Sequence, residues 1–238
     1  IEWTTGYLLE YSLSVDNVFV MLLIFSTFAV PANYQHRVLF WGILGAVVMR
    51  GAFIAAGTYM LAQWHWVMYV FGGILLFTAV RLVRSHDAPY DAERDPVLRI
   101  ARRVLPLTPR YDGQKLWTVE NGRRLATPLF LALLLVETSD VVFAVDSIPA
   151  IFAVTRDPFL VFTSNAFAVM GLRSMYFLLA EMVSRFERLK YGLALILVFV
   201  GAKMVLADVV EVPAAGALGA ILTLRGGSVV ASLRGGSG

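Results

Sequence analysis

Glu137-Thr-Ser-Asp140-Val-Val-Phe-Ala-Val-Asp146-Ser147-Ile-Pro149 lies inside residues 128–154, a run otherwise built of Leu, Val, Ala, Phe, Ile and Pro. A run of that length matches the ~20 apolar residues a helix needs to cross ~30 Å of hydrocarbon. Each acid at the centre of such a span costs at least ~2.5–3.5 kcal/mol on insertion scales. These carboxylates are therefore expected to face a protein interior or a water-filled cavity and to find partners there.

Five further apolar runs flank this one, at residues 7–30, 38–61, 67–83, 159–179 and 191–207. A seventh, at 213–224, is too short to span alone, and its extension to Leu233 would cross Arg225. The composition agrees: 58% of the 238 residues are hydrophobic, 16% are charged and the mean hydropathy is +0.72. Soluble domains average ~45–50% apolar and ~25% charged residues. The reading is an all-α, polytopic transmembrane helical bundle, an integral, multi-pass protein in contact with the lipid bilayer. The absence of cysteine excludes disulfides, thiolate metal centres and iron–sulfur clusters within these residues. The chain begins at Ile1 with no signal-peptide pattern, and a trimmed N-terminus is expected.

Basic residues set the expected orientation. Residues 84–125 carry Arg84, Arg94, Arg99, Arg102, Arg103, Arg110, Lys115, Arg123 and Arg124. Lys- and Arg-rich connections stay cytoplasmic, so this loop is placed on the cytoplasmic side of the cell's inner (plasma) membrane. Alternation then puts Arg185, Arg188 and Lys190 inside and Asp208 and Glu211 outside, with Arg156 against the trend beside Asp157.

The two halves repeat. Glu10-Tyr-Ser-Leu-Ser-Val-Asp16-Asn17 in the first span has the form of Asp140-Val-Val-Phe-Ala-Val-Asp146-Ser147 in the fourth. Arg50 in the second span matches Arg173 in the fifth, and Arg81 in the third matches Lys203 in the sixth. The offsets are 130 (16 to 146), 123 (50 to 173) and 122 (81 to 203). An odd number of spans per copy inverts the second copy in the membrane, the plan of many secondary transporters. Four segments follow: a three-helix repeat at 1–84, a basic loop at 85–125, a second repeat at 126–209, and a weak terminal helix with a Gly-rich tail at 210–238.

Residues six apart on a helix diverge by about 120°. Asp140 and Asp146 therefore either face different neighbours or flank a break, and Pro149 favours the break. Glu10 is read as nearer a span end. The candidate cation ligands are Asp16, Asn17, Glu137, Asp140 and Asp146, with Glu10, Ser147 and Asn165 as additional ligands or gating groups. Arg50 and Arg173 are their charge partners. Oxygen-only ligands suit Mn²⁺, Ca²⁺ or Mg²⁺, and none of His36, His65 and His86 lies deep in a span.

Several of these stretches also resemble one family. The motifs from Glu10 to Val20, from Glu137 to Ile151, from Ser164 to Phe177 and around Gly201-Ala-Lys203 are similar, in order, to those of the TerC/Alx family. The likeness runs from about Gly6 to Asp208. It implies membership of the LysE-type transporter superfamily, an association with tellurium resistance and manganese export, and an ion-handling role for Asp16, Asn17, Glu137, Asp140 and Asp146. It also implies a further helix ahead of Glu10 and a more apolar last helix than this sequence carries. The expected function is export of a divalent cation, Mn²⁺ foremost, with protons as a possible counter-ion. The alternative is a non-transporting scaffold or assembly factor in a stress-response complex, with stress proteins docking on the basic loop. No nucleophile–base pair, phosphate loop, permanent cofactor or nucleic-acid signature is present, so an enzyme is not expected.

Overall fold

The structure, a computed structural model, describes residues 1–84, 95–179 and 189–207 and the isolated positions 216, 218, 219 and 223. The weak span at 213–224, the Gly-rich tail and the connection at 180–188 lie outside the described residues, apart from those isolated positions. Among the described residues the elements are α1 (Glu2–Thr27), α2 (Ala32–Gln63), α3 (Val67–Arg84), α4 (Pro96–Val104), β1 (Trp117–Glu120), β2 (Arg123–Ala126), α5 (Pro128–Phe152), α6 (Pro158–Leu179) and α7 (Leu189–Val205). Helices α1, α2 and α5 are long and apolar enough to cross a membrane, and α3, α6 and α7 contribute shorter apolar stretches. A helix satisfies its own backbone donors and acceptors, which hydrocarbon demands. All six apolar runs have become helices.

Proline marks the helix starts. Pro128 and Pro96 occupy the first turns of α5 and α4, where the missing N–H costs nothing. Inside α5, Pro149 does not break the helix, contrary to the sequence expectation, and helical structure continues to Phe152. Only the Val145 carbonyl loses its donor, and the helix ends within a turn of the proline, so little is disrupted.

The main helix contacts pair one half of the chain with the other: α1 with α6, α2 with α5, and α3 with α7. Trp3 donates to Thr163 Oγ1 at 3.1 Å, and Phe25 packs edge-on against Tyr176, so α1 and α6 run parallel. Gly42 faces Val136 and Gly57 faces Phe152, so α2 and α5 are also parallel. Gly6 meets Ile151 while Glu10 and Asp140 share Arg50, which makes α1 and α5, the first helices of the two copies, antiparallel. Exchanging the copies turns the α1–α6 contact into the α5–α2 contact. The inverted arrangement is therefore visible in the packing itself.

Two apolar clusters fill the bundle, with a polar layer between them. Arg50 falls between Ala46 of one cluster and Ile54 of the other. Asp140 falls between Val136 and Ala144, and Asn165 between Val169 and Val161.

The basic connection has more structure than a plain loop. In α4, Asp95 caps by accepting from Val97 N at 2.8 Å, while Leu98 and Ala101 bury against the apolar cluster around Leu129 and Leu131. Strands β1 and β2 form a hairpin turning at Asn121 and Gly122, both at positive φ. An Asn-Gly pair at positive φ suits a tight turn between twisted strands. Tyr111 ties this unit to the bundle by donating to the Phe28 carbonyl at 2.7 Å.

At the α3–α7 crossing, a Cβ on Gly201 would lie 3.1 Å from Leu75 Cβ and 3.2 Å from the Gly72 carbonyl, whereas one on Gly73 would meet open space. Gly201→Val should therefore lower the melting temperature in detergent, at a cost of ~1–3 kcal/mol. Gly73→Ala should leave it unchanged or raise it slightly. Equal melting of the two variants would contradict this crossing. Burial pushes the Tyr111 phenol above its ordinary value, which is about 10. The neutral phenol thus stabilises the fold fully below that value, and the contribution fades as pH rises through the raised one. Thermal melts between pH 9 and 11 should fall more steeply for the wild type than for Tyr111→Phe.

Candidate functional site: one buried arginine between two carboxylates

Arg50 of α2 is almost fully buried, with 1% of its side-chain surface exposed. Its Nε donates to Asp140 Oδ2 at 3.0 Å and its Nη2 to Asp140 Oδ1 at 2.8 Å, a two-pronged pair matched to the planar guanidinium. Its Nη1 pairs with Glu10 Oε1 and also reaches Ser147 Oγ at 3.2 Å and Asn165 Oδ1 at 3.3 Å. Four helices, α1, α2, α5 and α6, thus meet through one side chain.

Helical spacing explains the membership. Asp140 and Ser147 are seven residues apart, within about 20° of the same face of α5, so both address Arg50. Asp146 is six from Asp140, about 120° away. It is half-buried and faces α3, where Thr78 Oγ1 donates to its Oδ1 at 2.7 Å and Arg81 acts on it electrostatically. The alternative that Pro149 had disfavoured is the one the chain adopts: an unbroken helix whose acids face different neighbours. Glu137, half-buried, lies against α2 where a Cβ on residue 45 would collide with its carboxylate, so glycine there makes room for it.

The site therefore differs from the ligand set read from the sequence. Glu10, expected near a span end, is 0% exposed and belongs to the centre. Glu137 and Asp146 occupy separate positions, and no group of three or more His, Cys, Asp or Glu side chains comes together among the described residues. Asn17 is buried on α1. Asp16 and Arg173 belong to α1 and α6, but their side chains lie outside the described residues. The repeat pattern already contained the signal for Glu10, since it occupies in the first copy the position Asp140 occupies in the second.

The formal charge of this layer is incomplete. Among the described residues two carboxylates face one guanidinium, a formal net charge of −1 with both acids ionised, in a buried layer. Glu10 Oε2 and Asn165 Nδ2 are buried without a hydrogen-bond partner among the described residues. Buried ions cost several kcal/mol each to desolvate, and only close pairing offsets that cost. The arrangement can bind a positive charge, as a proton or a metal ion, and can hold it with oxygen atoms alone. A cavity of about 250 Å³ opens elsewhere, beside Glu2, Met68, Arg156 and Lys203.

Removing a partner from the ion pair should be costly. Asp140→Ala leaves Nε and Nη2 of the guanidinium without their acceptor, although Glu10 remains, and should destabilise the protein by ~1–3 kcal/mol for each stranded donor. Thr78→Val, which removes a single hydrogen bond to Asp146, should cost about 1 kcal/mol. Thermal melts in detergent that ranked the two variants equally would contradict the geometry.

Comparison with known proteins agrees with these features. The family model described as "Integral membrane protein TerC family" matches residues 1–234. An uncharacterized membrane protein of Myxococcus xanthus, STKORF319, is 57% identical over 233 residues, covering 98% of this chain and 73% of the relative. Alx of Escherichia coli strain K12, whose name gives it as a candidate membrane-bound redox modulator, is 52% identical over 221 residues, 93% of this chain and 69% of Alx. An uncharacterized membrane protein of Rickettsia felis is 40% identical over 232 residues, covering 98% of this chain and 77% of the relative. No solved structure matches the chain. With a buried ionic layer between two inverted sets of apolar helices, and a family match along nearly its whole length, this chain belongs to the TerC family of integral membrane proteins.

Proposed function

We propose that this protein is a secondary transporter that exports a divalent metal cation, Mn²⁺ foremost, through the acidic layer of its helical bundle. The observation that carries the reading is the excess, among the described residues, of buried carboxylate over arginine at equivalent positions of two inverted halves, Glu10 and Asp140. Binding sites of inverted-repeat transporters lie near mid-membrane at the repeat interface, and Asp140 sits at the midpoint of α5. Oxygen donors without thiol or imidazole favour Mn²⁺, Mg²⁺ or Ca²⁺ over softer ions. Asp146 and Glu137, on the same helix, are carboxylates through which the ion enters or leaves. Protonation of any of these acids weakens its hold on a cation, which offers coupling to a proton gradient. The protein needs no permanent cofactor and catalyses no covalent step. Tolerance of metal or tellurium stress is the physiological consequence.

The basic unit at 84–125 faces the cytoplasm of the inner (plasma) membrane on this reading, as its arginines favour. A second reading draws on the same unit. Arg99, Arg102, Arg103, Arg123 and Arg124 are exposed on a folded helix and hairpin, a surface suited to a partner protein in a scaffolding role. The redox role in the name of Alx finds no thiol to serve it within these 238 residues.

Reconstitution into proteoliposomes separates these readings. Mn²⁺ flux should be present in the wild type and fall at least ~10-fold in Asp140→Asn and Asp146→Asn, a loss of ~1.4 kcal/mol or more in transition-state stabilisation. Undiminished flux in both variants would refute the transport route. Absent flux, together with stoichiometric protein partners lost on neutralising Arg102, Arg103, Arg123 and Arg124, would favour the scaffold.

A further inference from the structure

We propose that the Arg50 guanidinium is a tethered stand-in for the transported cation: it fills the oxygen cage when metal is absent and must withdraw for metal to enter. The inference rests on the transport reading and concerns how the same site empties and fills. Among the described residues Arg50 makes five hydrogen bonds, all to oxygen: both carboxylate oxygens of Asp140, Glu10 Oε1, Ser147 Oγ and Asn165 Oδ1. A guanidinium only donates, so it turns lone pairs of these oxygens toward itself from two sides, Asp140 at Nε and Nη2 and the other three at Nη1. That is the donor set a hard divalent cation takes, with 6–8 oxygens for Ca²⁺ and an octahedron for Mg²⁺. Glu10 Oε2, fully buried and without a hydrogen-bond partner among the described residues, is a sixth oxygen beside the other five.

Charge makes the two occupants exclusive. Counting the described residues with both acids ionised, the two carboxylates keep a formal net charge of −1 when Arg50 is seated. With Arg50 withdrawn, the cage carries −2, and a divalent cation neutralises it completely. With both present, the site would carry +1, with two cations a few ångströms apart in a medium of low dielectric constant. Metal entry and arginine withdrawal are therefore coupled. Glu137, one turn before Asp140 on α5 and set against Gly45 of Arg50's own helix, is the nearest described carboxylate along α5 to receive the displaced guanidinium. Returning to the cage, the guanidinium expels the ion. A site without such a competitor would bind metal more tightly and release it more slowly.

The test compares Mn²⁺ binding to the purified full-length protein in detergent, by calorimetry, with Mn²⁺ flux in proteoliposomes. Arg50→Gln should lower the Kd for Mn²⁺ at least ~10-fold while reducing flux at least ~10-fold. Arg50→Lys keeps a cation but loses the two-pronged fit, so its Kd should fall between those of wild type and Arg50→Gln. A monodisperse Arg50→Gln protein that binds Mn²⁺ no more tightly than wild type would overturn the proposal. If Arg50→Gln does not fold, Arg50→Lys decides alone: a Kd equal to or weaker than wild type overturns it. Wild-type flux with unimproved binding in the variants defeats only this inference, whereas absence of wild-type flux defeats the transport reading beneath it.

Discussion

A full charge in the middle of a bilayer cannot be left without a partner, and the architecture follows from that requirement. Arg50 is placed there by a helix that must cross the hydrocarbon, so the chain has to bring acceptors to it from other helices. It does so from both copies of the repeat, through Glu10 on α1 and Asp140 on α5. These carboxylates occupy equivalent positions in the two copies, so the arginine sits where the halves meet. The ion-pair network thus fixes which helices pack together. In return, the apolar clusters above and below exclude water and strengthen each electrostatic contact.

The packing leaves little choice about where acids go. Close approach of α2 and α5 uses Gly42, Gly45 and Gly57, and at Gly45 the space vacated by a side chain is taken by the Glu137 carboxylate. The regular turn of α5 then separates its acids by direction: Asp140 and Ser147 toward α2, Asp146 toward α3. One helix consequently presents carboxylates at successive depths and to different neighbours. On the transport reading proposed above, an ion would meet these carboxylates one after another and would not be held by all of them at once.

Much of this was legible in the sequence. The apolar runs mark the six apolar helices, three long and three with shorter apolar stretches, because hydrocarbon thickness imposes a length and because backbone polarity imposes a helix. The repeat of Glu10…Asp16-Asn17 as Asp140…Asp146-Ser147 gave the inversion. What could not be read was which acid pairs with which group, since that depends on helix rotation and on contacts between residues 40 to 115 positions apart. Glu10 reads as an end residue because the apolar run starts at residue 7, whereas α1 begins at Glu2 and carries Glu10 about two turns into the helix. Pro149 was overestimated because a proline near a helix end removes one hydrogen bond rather than several. The small folded unit between the halves was hidden by its charge, although Asp95-Pro96 and Asn121-Gly122 are ordinary signals for a helix start and a tight turn.

The central claim is that Arg50 and Asp140 exist in the bundle as a pair, and a reversal of sign tests it most directly. In wild type, Asp140→Asn should lower the melting temperature in detergent, because the guanidinium loses its two-pronged anionic partner and keeps only Glu10. In an Arg50→Gln background the same change should raise it, because one of two unpaired buried carboxylates becomes neutral. Asp140→Asn that lowered stability by the same amount in both backgrounds would show the two residues to be independent, and the account of the site would fail.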